Sequence, residues 1–266
     1  MSVVDLKGRV CVVTGASQGL GMAMAEGLAA SGAKVVIASP DKENLEKVAA
    51  KIGKDRCVDV IADITSRADC QHIRDSAIAT FGDLEVLVNN ARYTIPRANR
   101  SVLEGDVAFW ERAVQVNIFG TFLMTSTVLP HLVKRGWGRV VNITTSLDTM
   151  QRQHYSPYGV TKTAIEAETM IWAQDLAGTG VTVNSLIPGG ACETGKIRDH
   201  APSRPATVLL PIDIMVPALV WLASDLSDGE TGGRYVGKLW DATITPLEAA
   251  RRAREPSIFR APDLAS

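Results

Sequence analysis

The sequence predicts an α/β fold: one doubly wound domain spanning residues 1–266, with a central parallel sheet of about seven strands and helices on both faces. Three observations predict it. Short apolar runs alternate with helix-like stretches along the chain, the order that right-handed crossovers turn into a parallel sheet. The first such run leads directly into a glycine-rich turn and an Ala- and Met-rich helical segment. The 266 residues suffice for one large core, and no stretch reads as an inter-domain linker.

In chain order, strand-like runs fall at 9–13, 34–38, 57–62, 84–89, 139–143, 181–186 and 234–237. Arg9-Val10-Cys11-Val12-Val13 is typical, a short apolar run closed by a turn. Helical stretches lie between them at about 19–31, 41–52, 67–81, 106–134, 157–178 and 213–224. Strands wound outward from the first leave a crevice at their carboxyl ends where the order reverses. The turn at Gly15, then Asn90, Thr145 and Pro188, lie just past predicted strand ends and converge on that crevice. Segments 92–106, 146–156 and 191–211 are the candidate substrate loops, and a mildly Arg/Ala/Pro-rich tail occupies about 242–266.

Composition narrows the function. A hydrophobic fraction of 46% is ordinary for a soluble domain, and a formal net charge of −1 gives no field that would attract nucleic acid or an anionic membrane. The N-terminus lacks a hydrophobic signal core, and no apolar run approaches the ~20 residues that span a bilayer, so a cytoplasmic protein with no membrane partner is expected. Cys11, Cys57, Cys70 and Cys192 are scattered without a C-x-x-C pair; they fit reduced thiols better than disulfides or zinc ligands, and no metal is expected.

Two motifs carry chemistry. Thr14-Gly15-Ala16-Ser17-Gln18-Gly19-Leu20-Gly21 joins a strand to a helix start, where glycines admit a pyrophosphate close to the backbone and the helix N-terminus attracts it. The spacing is T-G-x-x-x-G-x-G rather than G-x-G-x-x-G, and a tight turn that binds nothing is the plain alternative. Farther on, Tyr158-Gly159-Val160-Thr161-Lys162 sets a phenol and an ammonium on one helix face, one turn apart. A free phenol titrates near ~10, and a neighbouring cation favours its ionised form, which suits proton exchange with a substrate hydroxyl or carbonyl.

With Asp63-Ile64, Asn89-Asn90-Ala91, Asn117 and Pro188-Gly189 falling in order between and after these motifs, the chain resembles the short-chain dehydrogenase/reductase family of the classical type over about residues 7 to 237. The resemblance implies a Rossmann-like fold binding NAD or NADP, with Gly15, Ser17, Gln18, Gly19 and Leu20 around the phosphates. It puts the Asp63 carboxylate on the adenine amino group, Ile64 beside the ring, and Asn90 and Ala91 close to the cofactor. Pro188-Gly189 turns over the nicotinamide. Tyr158 exchanges the proton, Lys162 lowers the phenol pKa and bonds the nicotinamide ribose, and Asn117 holds a local helix kink that links the lysine to solvent.

The chain departs from the family pattern at informative places. Counting back thirteen residues from Tyr158, and forward from Gly138, both reach Thr145 where the family has its carbonyl-polarising serine; Ser146 is next. Thr145 is the first choice and Ser146 the alternative, since either hydroxyl can stabilise developing charge. Arg92 stands where Gly is usual, so a side chain leaves that turn, and the substrate pocket is one place it can reach. Thr194 comes one residue later than the family's loop threonine, and Glu193 takes its place. Ser39 replaces the acidic residue that marks NAD, while Gln18 and Pro40 replace the basic residues that mark NADP; Lys42 tips the expectation slightly toward NADP.

The expected activity is hydride transfer between a nicotinamide and a ketone or secondary alcohol, that is, a carbonyl reductase or alcohol dehydrogenase. Arg92, Arg97, Arg100, Arg152, Lys196, Arg198, His200 and Arg204 make an anionic substrate one option, and Trp110, Met150, Tyr155, Leu209 and Leu210 an apolar pocket another. By resemblance, the helices at 106–134 and 157–178 pair with copies in a dimer or tetramer. The tail, with Trp240, Ile258 and Phe259, is expected to pack on a neighbouring subunit. A catalytically weak cofactor sensor on the same fold remains the alternative function; a sugar-nucleotide epimerase lacks the extra substrate domain.

Overall fold

The structure, a computed structural model, describes residues 4–94, 101–195 and 209–259. Val/Ile-rich runs buried on both faces make the interior strands, as the continuous apolar pattern requires. β1 (Val10–Thr14), β2 (Lys34–Ser39), β3 (Cys57–Ile61), β4 (Val86–Asn89), β5 (Gly138–Ile143), β6 (Val181–Ile187) and β7 (Arg234–Val236) are parallel in the order β3-β2-β1-β4-β5-β6-β7. The order reverses between β1 and β4, which opens the crevice at their carboxyl ends.

Helices cover both faces. On one, α1 (Gly19–Ala30), α2 (Lys42–Ile52) and α8 (Val216–Leu222) bury Met24, Leu28, Leu45 and Trp221 against β1 and β2. On the other, α3 (Arg67–Phe81), α5 (Thr121–Arg135) and α7 (Tyr158–Asp175) bury Ile73, Leu123, Val128 and Ala173. Asp41 and Ser66 cap α2 and α3 by accepting from the backbone N–H groups of Asn44 and Asp69, which fixes where each helix begins.

The helix expected over 106–134 is interrupted. α4 (Val107–Val114) passes into a π turn at Gln115–Gly120 before α5 resumes. The whole segment Val107–Arg135 is long and apolar enough by composition to cross a membrane, contrary to the reading that no such stretch exists; 56% of its most apolar window is buried inside the molecule, as a core helix requires.

An eighth strand is the second difference. After Trp240, whose ring packs 6.0 Å from that of Trp221, α9 (Pro246–Ala253) buries Ala249, Ala250 and Ala253, and β8 (Arg254–Glu255) pairs antiparallel with the β7 edge. The described part of the tail therefore packs on its own chain, because a sheet edge and a small-residue helix face satisfy each other there. A short helix α6 (Leu147–Met150) lies in the second candidate loop. Arg97, Arg100, Lys196, Arg198, His200 and Arg204 lie outside the described residues.

Candidate active site

The glycine turn is built by close approach. Gly15 has φ +64°, and a Cβ there would lie 2.7 Å from the Ala91 Cα; one on Gly21 would lie 2.3 Å from the Gly15 carbonyl oxygen. Both positions therefore exclude a side chain. Thr14 Oγ1 accepts from the backbone N–H groups of Asn90 and Ala91, each at 3.1 Å, and Asn90 Nδ2 donates to the carbonyls of Thr14 and Gly15. The ends of β1 and β4 are thus tied together. α1 starts at Gly19 after an extended, exposed Gln18 that makes no side-chain capping bond, and its first turn holds no acidic residue, so its N–H groups are left for an anion. Leu20 is half-buried against the core beneath.

At one side of this turn the buried Ser39 hydroxyl donates to Ser17 Oγ at 3.0 Å and accepts from the Asp41 N–H at 3.2 Å. Lys42 is exposed and pairs loosely with Glu46 at 3.7 Å. Asp63 is already engaged: one oxygen accepts from the Thr65 N–H and hydroxyl, and the other pairs with Arg112 at 2.6 Å. Partial burial pushes this carboxyl up, but the Thr65 and Arg112 bonds outweigh it and hold it below the usual range. Ile64 is 5% exposed, and its side chain packs on Gly120 of the π turn.

Across the crevice, Pro188 accepts from the Lys238 N–H at 3.1 Å, and Gly189 has φ +86° where a Cβ would meet Val236. The two arms of the third candidate loop join at a bridge between Cys192 and Leu210. This brings Thr194 over the glycine turn, its methyl 3.6 Å from where a Gly19 Cβ would be. Uncapped backbone donors, space kept clear by glycine, and polar side chains at the flanking strand ends make a cradle that fits a dinucleotide.

The candidate catalytic side chains stand on α7 and just past the end of β5. Tyr158 opens α7 and is half-buried; Lys162, one turn on, is 3% exposed and its Nζ donates to the Ile143 carbonyl at 2.6 Å. Burial pulls the Lys162 ammonium down to about 7, Arg92 adds to the fall, and Glu166 opposes it. Asn117 sits in the π turn. Its side chain accepts from the Tyr93 N–H at 2.6 Å and donates to the Tyr93 carbonyl and to Thr161 Oγ1, while its own carbonyl accepts from Thr121 Oγ1. It therefore ties the segment after β4 to the residue preceding Lys162.

Of the two candidate hydroxyls, Ser146 Oγ is paired with Thr149 Oγ1 at 3.0 Å, whereas Thr145 Oγ1 has no hydrogen bond among the described residues. The Thr145 backbone is held instead. Arg234 Nη2 donates to its carbonyl at 2.9 Å, Nε donates to Glu166 at 3.2 Å, and Nη1 donates to Glu255 of β8 at 2.5 Å. Glu166, 2% exposed, also accepts from Ser185 Oγ at 3.0 Å and from the Thr144 hydroxyl. Arg112, Glu166 and Arg234 were not singled out from sequence; only Glu166, one helical turn past Lys162, carried a local signal.

A family model described as short chain dehydrogenase matches residues 9–201. A short-chain type dehydrogenase/reductase of Picea abies is 34% identical over 237 residues, covering 83% of this chain and 87% of the relative. A 3-oxoacyl-[acyl-carrier-protein] reductase of Thermotoga maritima is 30% identical, covering 85% and 95%. Among solved structures, a 3-ketoacyl-(acyl-carrier-protein) reductase from Brucella melitensis complexed with NADH superposes with a TM-score of 0.79 at 32% identity, covering 86% of this chain and 96% of that one.

Proposed function

The chain belongs to the short-chain dehydrogenase family and is an oxidoreductase of that family; from this premise we propose that it interconverts a ketone and a secondary alcohol with Tyr158 as the proton donor and acceptor. The observation that carries the reading is the wholly buried Lys162 ammonium one helical turn from the accessible Tyr158 phenol, beside the cradle at Gly15 to Gly21.

Bound there, a nicotinamide cofactor supplies or takes up the hydride. Tyr158 passes a proton to the substrate oxygen during reduction and recovers it during oxidation. Thr145 donates its hydroxyl to that oxygen, which stabilises the charge developing on it. Lys162 stands one helical turn from that phenol and brings a positive charge to the same helix face. An anion in the crevice favours the charged lysine, so occupancy by a phosphate-bearing cofactor and the readiness of Tyr158 are linked. Asn117 holds the π turn against α7, which keeps Lys162 and Tyr158 in register.

We read the cofactor as NADP in preference to NAD. The support is the missing acid at Ser39, with the exposed Lys42 nearby in sequence. We read the chain as a cytoplasmic homo-oligomer, a dimer or tetramer. Support comes from four free, buried cysteines and from exposed Val102, Val107 and Trp110, which with Phe109 and Val114 line an apolar groove of about 700 Å³ on α4.

The test is a screen of carbonyls and alcohols followed by nicotinamide absorbance with both cofactors. Turnover by the wild type, nearly abolished in Tyr158→Phe with cofactor affinity retained, is expected. Unchanged turnover in that variant refutes the mechanism, and a strong NAD preference refutes the cofactor choice. The alternative, a cofactor sensor, draws its support from Arg92 and from Thr145 in the serine position; it predicts cofactor binding with no turnover of any compound.

A further inference from the structure

Arg92 is a departure from the family pattern that puts a new charge beside Tyr158. The backbone on either side of it is fixed: the Ala91 N–H donates to Thr14 Oγ1, and Tyr93 is bonded through both its N–H and its carbonyl to the Asn117 amide. From that fixed base the Arg92 guanidinium lies over the Tyr158 ring, 5.9 Å from its centroid, while the side chain remains exposed.

Its place over the Tyr158 ring sets it apart from the other arginines without a carboxylate partner among the described residues, Arg56, Arg67, Arg152 and Arg251. Arg9, Arg74, Arg112, Arg135, Arg139 and Arg234 each pair with a carboxylate, whereas Arg92 pairs with none among the described residues. Lys162 is a second cation close enough to act on Arg92, and Glu166, the acid that bears on Lys162, is already engaged by Thr144, Ser185 and Arg234. Arg92 therefore brings to Tyr158 a charge that no carboxylate among the described residues neutralises. An anion entering beside the Arg92 guanidinium meets an exposed, uncompensated positive charge.

We propose that Arg92 is a specificity-determining residue that binds the carboxylate of an oxo acid or hydroxy acid and so holds the reacting carbon against Tyr158. The assignment rests on the oxidoreductase reading above for the reaction itself, but not for the binding. A planar guanidinium meets a carboxylate through two parallel N–H donors, which orients the substrate as well as retaining it. In reduction the carbonyl carbon gains a hydride from the reduced cofactor and its oxygen gains the Tyr158 proton; the products are the hydroxy acid and the oxidised cofactor. The Tyr158 end, rather than the Ser39 end, carries this arginine, which separates its role from recognition of the adenosine ribose. The depression of the Lys162 ammonium by Arg92 agrees with the two groups sharing one space.

The experiment compares wild type with Arg92→Gln and Arg92→Lys, using 2-oxobutanoate, 3-oxobutanoate and 4-oxopentanoate, each against its methyl ester. The wild type is expected to favour the acid of at least one pair, and Arg92→Gln to reduce the acid-to-ester ratio of kcat/KM by about tenfold or more, the weight of one charge-assisted bond pair. Arg92→Lys retains part of the ratio. A ratio unchanged in Arg92→Gln overturns the proposal. A second arm needs no turnover: propanoate binding to NADP-saturated protein, read by titration calorimetry, weakens by a similar factor in Arg92→Gln. Equal propanoate binding overturns the proposal, as does a loss of NADPH affinity, read by nicotinamide fluorescence, that matches the loss for propanoate. Should the wild type bind propanoate through Arg92 yet turn over neither acids nor esters, the oxidoreductase reading fails and the carboxylate site stands.

Discussion

Replacing Arg234 tests whether the tail and the candidate hydroxyl of Thr145 are mechanically joined. Its three kinds of N–H donor reach three acceptors on different elements: Glu166 on α7, the Thr145 carbonyl after β5, and Glu255 on β8. Arg234 is 3% exposed and Glu166 2%, so Arg234→Met leaves a buried carboxylate facing an apolar side chain. Breaking such a pair typically costs ~3–5 kcal/mol. Glu166 keeps the Thr144 and Ser185 hydroxyls, which sets the expectation at the lower end, about 3 kcal/mol. Glu255 is 43% exposed at its side chain, and its solvent-screened share is under about 1 kcal/mol. A chain of this size loses roughly 2–4 °C per kcal/mol, so thermal unfolding by circular dichroism should fall by about 6–12 °C. Thr145 also loses the donor that fixes its carbonyl, and displacement of a reactive group by about 1 Å can cost on the order of a hundredfold in rate. Arg234→Lys keeps the charge but cannot reach all three acceptors, so kcat should fall with KM for cofactor unchanged. A melting shift below about 2 °C in Arg234→Met refutes the energetic argument; a large shift with kcat intact in Arg234→Lys refutes the coupling to Thr145.

Three further outcomes are expected. Thr145→Val should lose most turnover while Ser146→Ala keeps it, because only the first removes an unengaged hydroxyl; a large loss confined to Ser146→Ala reverses the assignment. Lys162 titrates near 7 in the folded protein against an ordinary 10.5, so the unfolded chain binds more protons between those values and the stability tied to this group rises as pH climbs from 7 to 10.5. Lys162→Met should therefore melt higher than wild type below pH 7, lose that advantage toward pH 10.5, and be inactive; equal melting curves at pH 6.5 reject the burial argument. Truncation after Asp241 removes the α9 face of Ala249, Ala250 and Ala253 and bares the β7 edge, so melting should fall by more than about 5 °C, and an unchanged curve shows the tail to be dispensable.

Much of the fold was legible because its signals are local. β1, β2, β4, β5 and β6 are buried on both faces and so read as unbroken apolar runs. β8 is two residues, Arg254–Glu255, held by backbone pairing and side-chain ions, and leaves no apolar trace in the chain. Periodicity alone hid the π turn, although the resemblance had put a local kink at Asn117. Buried positions continue through it at 109, 113, 117, 120, 124 and 128, so the extra residue in the ladder looks like ordinary helical periodicity. The same division runs through the site. Tyr158 and Lys162 lie one turn apart and Asn117 sits in a recognisable segment, whereas Arg112 meets Asp63 across 49 residues and Arg234 meets Thr145 across 89. Pairings at that separation exist only after the sheet has closed.

The contact of Gly15 and Gly21 with Asn90 and Ala91 is made largely by backbone, with one amide as its pin. Such a junction has no rotamers to relax into, so it acts as a rigid gauge on which the coenzyme's reach is measured. Segments 92–94, 146–156 and 191–195 hang from the rim of that gauge without forming it. Side chains on the rim can therefore be exchanged without disturbing the junction beneath them.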